Sequence, residues 1–296
     1  MNRDGAFLVV GGDSLVGGGL LRALNRRGHA AFASTRRRET VGGQRILLDF
    51  EEDAPPRLPR QVGYAFVVAA ATNYERCERD PLAYRINVEF IPRTIASLLE
   101  QGIFVTFIST NSVFGGERPW PNEDDPHAPG IAYARQKDEA EKAIRAAARS
   151  LRAESRLNIV RLTKILNKET SPLPSWLAAW KRGEAVQPFS DLVFAPMSVR
   201  FVGEALATIG EKRIGGNLHL SGADNVTYVD LANALARRLK VPPTLIAPTT
   251  ATEKRVNIPF KPRYSGLGMH RTVELSGLAP QPLADVVDDI AAELGD

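Results

Sequence analysis

Two stretches of this 296-residue chain combine residue types that do chemistry at spacings able to hold them together. In "YARQK", Tyr133 and Lys137 lie four apart in a run of helical character, and that interval stacks both side chains on one helix face. A phenol normally titrates near ~10, so a neighbouring ammonium is what draws it toward use at neutral pH. The second stretch, "VVGGDSLVGGG" over residues 9–19, fits two incompatible chemistries. Gly11 and Gly17 keep the frame of Gly-x-x-Gly-x-x-Gly, in which bare N–H groups at a helix start face a pyrophosphate, with Ser14 in place of the middle glycine. A serine hydroxyl can still donate to a phosphate, but its side chain narrows the approach. The same letters could instead present Ser14 as a nucleophile.

A nucleophilic serine needs an imidazole that a carboxylate orients. The Gly-Asp-Ser-Leu esterases, which Gly12-Asp13-Ser14-Leu15 locally resembles, carry a late Asp-x-x-His for this purpose. Here the sole Asp-x-x-His runs from Asp124 to His127 in mid-chain, and nothing after His270 supplies a histidine. The serine lacks its base.

The elements that must position these residues follow an alternating pattern. Residues 6–10 form a short apolar run ending in glycines, and 15–24 carry Leu20, Leu21 and Leu24 at helical spacing. Gly28 stops that helix, and strands are expected at 30–34, 46–48 and 64–70. A helix over 81–101 contains Pro92, which should bend it or sit where packing tolerates a lost hydrogen bond. Residues 103–109 read as a buried strand, 132–152 as a long helix and 158–162 as another strand. Helices over 227–239, with Thr227 as cap, and over 282–294 close the chain. Such alternation predicts an α/β protein with a parallel sheet covered on both faces, its ligand crevice beyond the strands' carboxyl ends. Thr110 ends the fifth strand and should face that crevice, as should the glycine loop. A shift to irregular, proline-rich sequence near Thr163 marks a candidate lobe boundary.

In this register the chain resembles the extended short-chain dehydrogenase/reductase superfamily, most closely its dTDP-4-dehydrorhamnose reductase-like branch. The carriers are "GGDSLVG", "AAATNYERCERDP", Asn87, "STNSVFGG" and "YARQK", with looser agreement in "FAPMSVRFVGEAL", "GNLHLSG", "TYVDLANALARRL" and "KPRYSGL". The resemblance implies a Rossmann-type doubly wound sheet with a smaller C-terminal substrate-binding lobe. Residues 1–163 would then bind NAD(P), and 164–296 would be mainly the substrate lobe, with segments near 195–225 returning to the sheet. It implies reduction of a 4-keto sugar nucleotide, with Thr110, Tyr133 and Lys137 as the catalytic group. The cofactor would lie along Gly11, Ser14, Leu15, Val16 and Gly17, past Ala70 and Ala71, with Asp49 beside the adenine and Lys137 on the nicotinamide ribose. Arg36 and Arg37, where an acidic residue would mark NAD, favour the 2′-phosphate of NADP, with NAD as the alternative.

Related dehydratases place Asp and Glu after the position of Thr110, and rhamnose-type reductases place Asp and Tyr there; this chain has Asn111 and Ser112. Elimination lacks its carboxylates. A sugar-nucleotide epimerase and a non-catalytic regulatory member of the same fold remain as alternatives. Arg263 is a diphosphate partner only by resemblance, and Trp176 and Trp180, four apart, fit either a sugar pocket or the core.

Composition narrows the partners. The formal charge of +4 comes from arginines spread without aromatic interleaving, which speaks against nucleic acid. One cysteine, Cys77, leaves no internal disulfide, and histidines at 29, 127, 219 and 270 lack metal-ligand spacing. Apolar runs such as 65–71 fall far short of the roughly 20 residues a membrane helix needs. A cytoplasmic protein that binds no membrane or metal, and by resemblance forms a homodimer, is the expectation.

Overall fold

The computed structural model describes residues 5–50, 59 and 61–295. The chain begins with β1 (Ala6–Val10), α1 (Leu15–Arg26), β2 (Ala31–Thr35), β3 (Arg45–Leu47) and β4 (Val62–Val67). It continues through α2 (Tyr74–Arg79), α3 (Pro81–Tyr84), α4 (Ile91–Glu100), β5 (Phe104–Thr110), α5 (Ala132–Ser150) and β6 (Leu157–Leu162). Shorter pieces follow: β7 (Lys164–Leu166), α6 (Leu173–Lys181), β8 (Val193–Phe194) and β9 (Pro196–Ser198). Last come α7 (Val199–Glu211), β10 (Gly216–Leu220), β11 (Val226–Thr227), α8 (Tyr228–Arg238), α9 (His270–Ser276) and α10 (Leu283–Gly295).

Seven strands form one parallel sheet in the order β10-β6-β5-β4-β1-β2-β3, the doubly wound Rossmann arrangement. Strand side chains alternate between two cores. Phe7, Val9, Tyr64 and Phe66 face α1 and α7, where Leu20, Leu24, Val202 and Leu206 meet them. Leu8, Val10, Ala65 and Val67 face α4 and α5, against Ile91, Ile95, Leu98 and Ile144. Burial on both faces is why these strands read as continuous apolar runs. A third core joins α6, α8 and α10 through Leu173, Leu231, Leu235, Val286 and Ile290. Trp176 and Trp180 belong to it, both under a tenth exposed, with ring centroids 6.2 Å apart. Thr227 caps α8 through a reciprocal pair with Asp230. Among the described residues, no helix is long and apolar enough to cross a membrane.

The helix expected over 81–101 is interrupted. Residues Arg85–Phe90 form a π turn, in which the Ile91 N–H donates five residues back to the Ile86 carbonyl. Pro92 follows directly after the π turn, so the hydrogen bond that its missing N–H cannot make falls at the junction between the π turn and α4.

One ionic cluster ties α5 to the sheet. Arg161 on β6 and Glu141 on α5 are both buried and meet as a forked pair, Nε to Oε1 at 3.0 Å and Nη2 to Oε2 at 2.7 Å. Arg161 Nη1 also donates to the Glu123 carbonyl at 2.9 Å and lies 3.2 Å from His219 Nε2. Since guanidinium only donates, His219 accepts there and gives its Nδ1 proton to the Gly268 carbonyl at 2.8 Å. Burial and the adjacent guanidinium push His219 down to about 3, so the ring stays neutral. Burial pushes the Glu141 carboxyl up, but hydrogen bonding and charge from Arg161 outweigh it and hold the group at about 2. Glu141 Oε2 also accepts from Arg145 Nη2 at 2.9 Å, so removing Arg161 takes away the buried partner of the carboxylate but leaves a half-buried one. Arg161→Met is therefore expected to cost about 2–3 kcal/mol in urea unfolding; a loss under about 1 kcal/mol would show that the pair does not anchor α5.

Candidate active site

The turn after β1 brings the glycine loop to the carboxyl edge of the sheet. Gly11 has φ +93°, and its N–H donates to Ser34 Oγ on β2 at 2.8 Å. A side chain on Gly17 would place its Cβ 2.3 Å from the Gly11 carbonyl oxygen, so α1 approaches β1 this closely only with glycine there. Ser14 is the N-cap of α1: its hydroxyl accepts from the Gly17 N–H at 3.0 Å and donates to the Gly11 carbonyl at 2.8 Å. Its proton is therefore spent inside the loop, and no imidazole is among its hydrogen-bond partners. The residues of the esterase alternative lie elsewhere: Asp124 pairs with Arg271, and His127 Nδ1 meets Asp138 at 2.6 Å. Leu15 is exposed and Val16 half-buried, and their N–H groups, the first two of α1, have no acceptor among the described residues. Two open N–H groups at a helix start, over a glycine floor, fit a dinucleotide's phosphates.

Asp13 was not singled out as a binding residue by its spacing, yet it organises the end of β2. Its carboxylate accepts from Thr35 Oγ1 at 2.7 Å and pairs with Arg45. Burial raises its pKa, but the Thr35 hydrogen bond and the Arg45 and Arg37 charges together hold it below the usual range. Arg36 and Arg37 are exposed just beyond β2, and Asp49 is half-buried past the end of β3. The loop after β4 carries Ala70, half-buried, and Ala71, buried. Asn87, on the π turn, clamps it: the Ala71 N–H donates to Oδ1 and Nδ2 donates to the Ala71 carbonyl, each at 2.9 Å. The same Nδ2 gives its second proton to Gln136 Oε1 on α5 at 2.8 Å.

Thr110 and Tyr133 meet in one cavity of about 690 Å³, which Tyr74, Lys164, Tyr228 and Lys261 also line. The Thr110 hydroxyl shares that wall with the Tyr133 phenol and lies 3.1 Å from Ser112 Oγ. Burial, with Tyr74 nearby, raises the phenol well above its ordinary value, and the neighbouring Thr110 hydroxyl offsets this only in part. Asn111 Nδ2 donates to both the carbonyl and the hydroxyl of Ser265, at 2.9 and 3.0 Å, which joins the end of β5 to a late loop forming the opposite wall. Among the residues lining the cavity the sole carboxylate is Glu75, which is exposed.

Lys137 is placed differently from its partners. Although it shares a helix face with Tyr133, it is not part of the cavity wall; its Nζ donates to the Ile108 carbonyl at 2.6 Å and sits 4.0 Å from the Phe107 ring centroid. Burial drives its amine down to about 7. Trp176, Trp180 and Arg263 also lie outside the cavity wall; Arg263 stacks over Tyr264 at 5.3 Å.

Comparison with known proteins gives this geometry its family. The model of the RmlD substrate binding domain matches residues 5–295, nearly the whole chain. The chain belongs to that family. A probable dTDP-4,6-dihydroxy-2-methyloxan-3-one 4-ketoreductase of Streptomyces antibioticus is 29% identical over 217 residues, covering 72% of this chain and 71% of that protein. The fold matches dTDP-4-dehydrorhamnose reductase from Bacillus anthracis in complex with NADP, with TM-score 0.80, 18% identity and 99% of each chain covered. It also matches a UDP-N-acetylglucosamine 4-epimerase from Bacillus cereus, with TM-score 0.79, 14% identity and 99% and 100% of the two chains covered. Members of the RmlD family thus share one architecture with relatives of more than one reaction type.

Lys137's burial makes stability depend on pH. Its folded value of about 7 lies below the ordinary 10.5, so between these values the unfolded chain holds more protons and raising pH favours folding. The wild-type urea midpoint should rise from pH 7 to pH 9.5 more steeply than that of Lys137→Met. Parallel pH profiles for the two proteins would show that the amine is not desolvated in the fold.

Proposed function

We propose that this protein is an NADP-dependent reductase of a 4-keto sugar nucleotide of the dTDP-4-dehydrorhamnose type. The observation that carries this reading is the half-buried Tyr133, whose phenol stays protonated beside Thr110 in a cavity at the sheet's carboxyl edge. A ketone being reduced needs a proton at its oxygen, and the phenol carries one at neutral pH; its raised pKa makes it a weak acid, so transfer calls for the Lys137 ammonium to leave the Ile108 carbonyl and draw that pKa down. Thr110 is poised to hold the same oxygen, which fixes the geometry of the transfer. Membership of the RmlD family and the ketoreductase relative support the substrate class. The scarcity of carboxylates on the cavity wall, with Asn111 after Thr110, argues against water elimination.

NADPH, when bound, supplies the hydride. Gly11, Ser14, Gly17 and the open N–H groups of Leu15 and Val16 would hold its phosphates, Ser14 by shaping the loop rather than by donating its own proton. Arg36 and Arg37 would take the 2′-phosphate, Ala70 and Ala71 would let the dinucleotide pass close, and Asp49 would lie beside the adenine. Lys137 would support the nicotinamide ribose after leaving the Ile108 carbonyl. Residues 164–296 would carry most of the sugar-nucleotide contacts.

Two measurements test this. Tyr133→Phe should lower kcat/KM for NADPH oxidation with a dTDP-4-keto-6-deoxyhexose by about 10²–10⁴-fold, with NADPH affinity kept; unchanged turnover would remove the phenol from the chemistry. Replacing Arg36 and Arg37 together by alanine should weaken NADPH binding by about tenfold or more and leave NADH binding unaltered. An equal effect on both nucleotides would take the 2′-phosphate away from these arginines.

A further inference from the structure

Two lysines line the cavity, and they differ in one respect. Lys261 Nζ is neutralised by Asp191 Oδ2 at 2.7 Å. Lys164 forms no ion pair and no hydrogen bond among the described residues, although it belongs to the same wall. It begins β7, two residues past Leu162, and Leu162 is the strand partner of Thr110. Lys164 therefore joins the cavity wall from the strand end next to the one that carries Thr110.

The side chain is open to solvent within the cavity, yet the surrounding protein pulls its pKa below the ordinary lysine value, with desolvation as the only cause. No anion compensates it. A substrate that displaces the remaining water must either leave this charge unpaired, which is costly, or bring an anionic oxygen to it.

We propose that Lys164 is a specificity-determining residue that pairs with an anionic oxygen group of the sugar nucleotide close to the reacting carbon. That chemistry has two sources in such a substrate: a carboxylate on the hexose ring, or the phosphate nearest the sugar. The inference rests on the sugar-nucleotide reading above.

The test measures equilibrium binding by calorimetry on the full chain with NADP⁺ present, using dTDP, dTDP-glucose and dTDP-glucuronate as probes. Lys164→Met keeps length and apolar stem while removing the charge, and Lys164→Arg restores the charge. If the ring carboxylate is the partner, Lys164→Met weakens dTDP-glucuronate about 10- to 100-fold and leaves the other two unchanged. If the phosphate is the partner, all three weaken together by a similar factor. In either case Lys164→Arg should stay within a few-fold of wild type. Wild-type affinity of Lys164→Met for all three probes would overturn the proposal while leaving the sugar-nucleotide reading intact. A wild-type protein that binds none of the three would instead overturn that reading, and this inference with it.

Discussion

The ion pair between Glu141 and Arg161 fixes the geometry on which the candidate site depends. Glu141 lies one helical turn after Lys137 and two turns after Tyr133, and Arg161 lies on the strand beside Thr110's own. A forked bond has only one good arrangement, so it sets both the rotation of α5 and its height above the sheet. A helix held by apolar packing alone could slide by a fraction of a turn at small cost. With a buried carboxylate locked to a buried guanidinium, such a slide strips Arg161 of its carboxylate, while Glu141 keeps Arg145 on its own helix. The contacts of Arg161 to Glu123 and His219 carry this constraint into the loop and strand behind it.

Burial acts in opposite directions on the two groups that α5 presents. It raises the phenol and lowers the amine, so in each case the neutral form gains. A tyrosine beside a charged lysine would ionise more readily; here the lysine is spent on the Ile108 carbonyl and the Phe107 ring, and the phenol keeps its proton. Lysine's long stem makes the difference. The interval of four fixes where two Cβ atoms lie but leaves four torsions free, and a carbonyl below the helix competes with the cavity for the ammonium.

This limit also describes how far the sequence alone reaches. The parallel sheet and the strand-end position of Thr110 were legible because continuous apolar runs and glycine turns are local signals. The shared cavity wall of Thr110 and Tyr133 followed from topology once the strand and helix were in order. The π turn was not legible, because it depends on Asn87 bonding a loop from another part of the chain rather than on Pro92 alone. Nor was the Glu141–Arg161 pair, since two charges twenty residues apart meet only after α5 docks on β6. Asp13 was hidden by its neighbours: within Gly12-Asp13-Ser14-Leu15 it invited comparison with a hydrolase, while its carboxylate in fact holds Thr35 and Arg45.

Ser14 and Asn111 show how a departure from a family pattern can be absorbed. At Ser14 the hydroxyl caps α1 and turns its proton back on the Gly11 carbonyl, so the loop keeps its shape without the middle glycine's freedom. At Asn111 an amide stands where relatives use a carboxylate, and it does what a carboxylate could not: it donates twice to Ser265. An aspartate there would face the Ser265 carbonyl with no proton to offer and could only accept from the Ser265 hydroxyl, so the late loop would keep one of these two ties to β5. The amide is therefore a structural tie at the end of β5, and the Tyr133 phenol, on the same cavity wall as Asn111, keeps its proton.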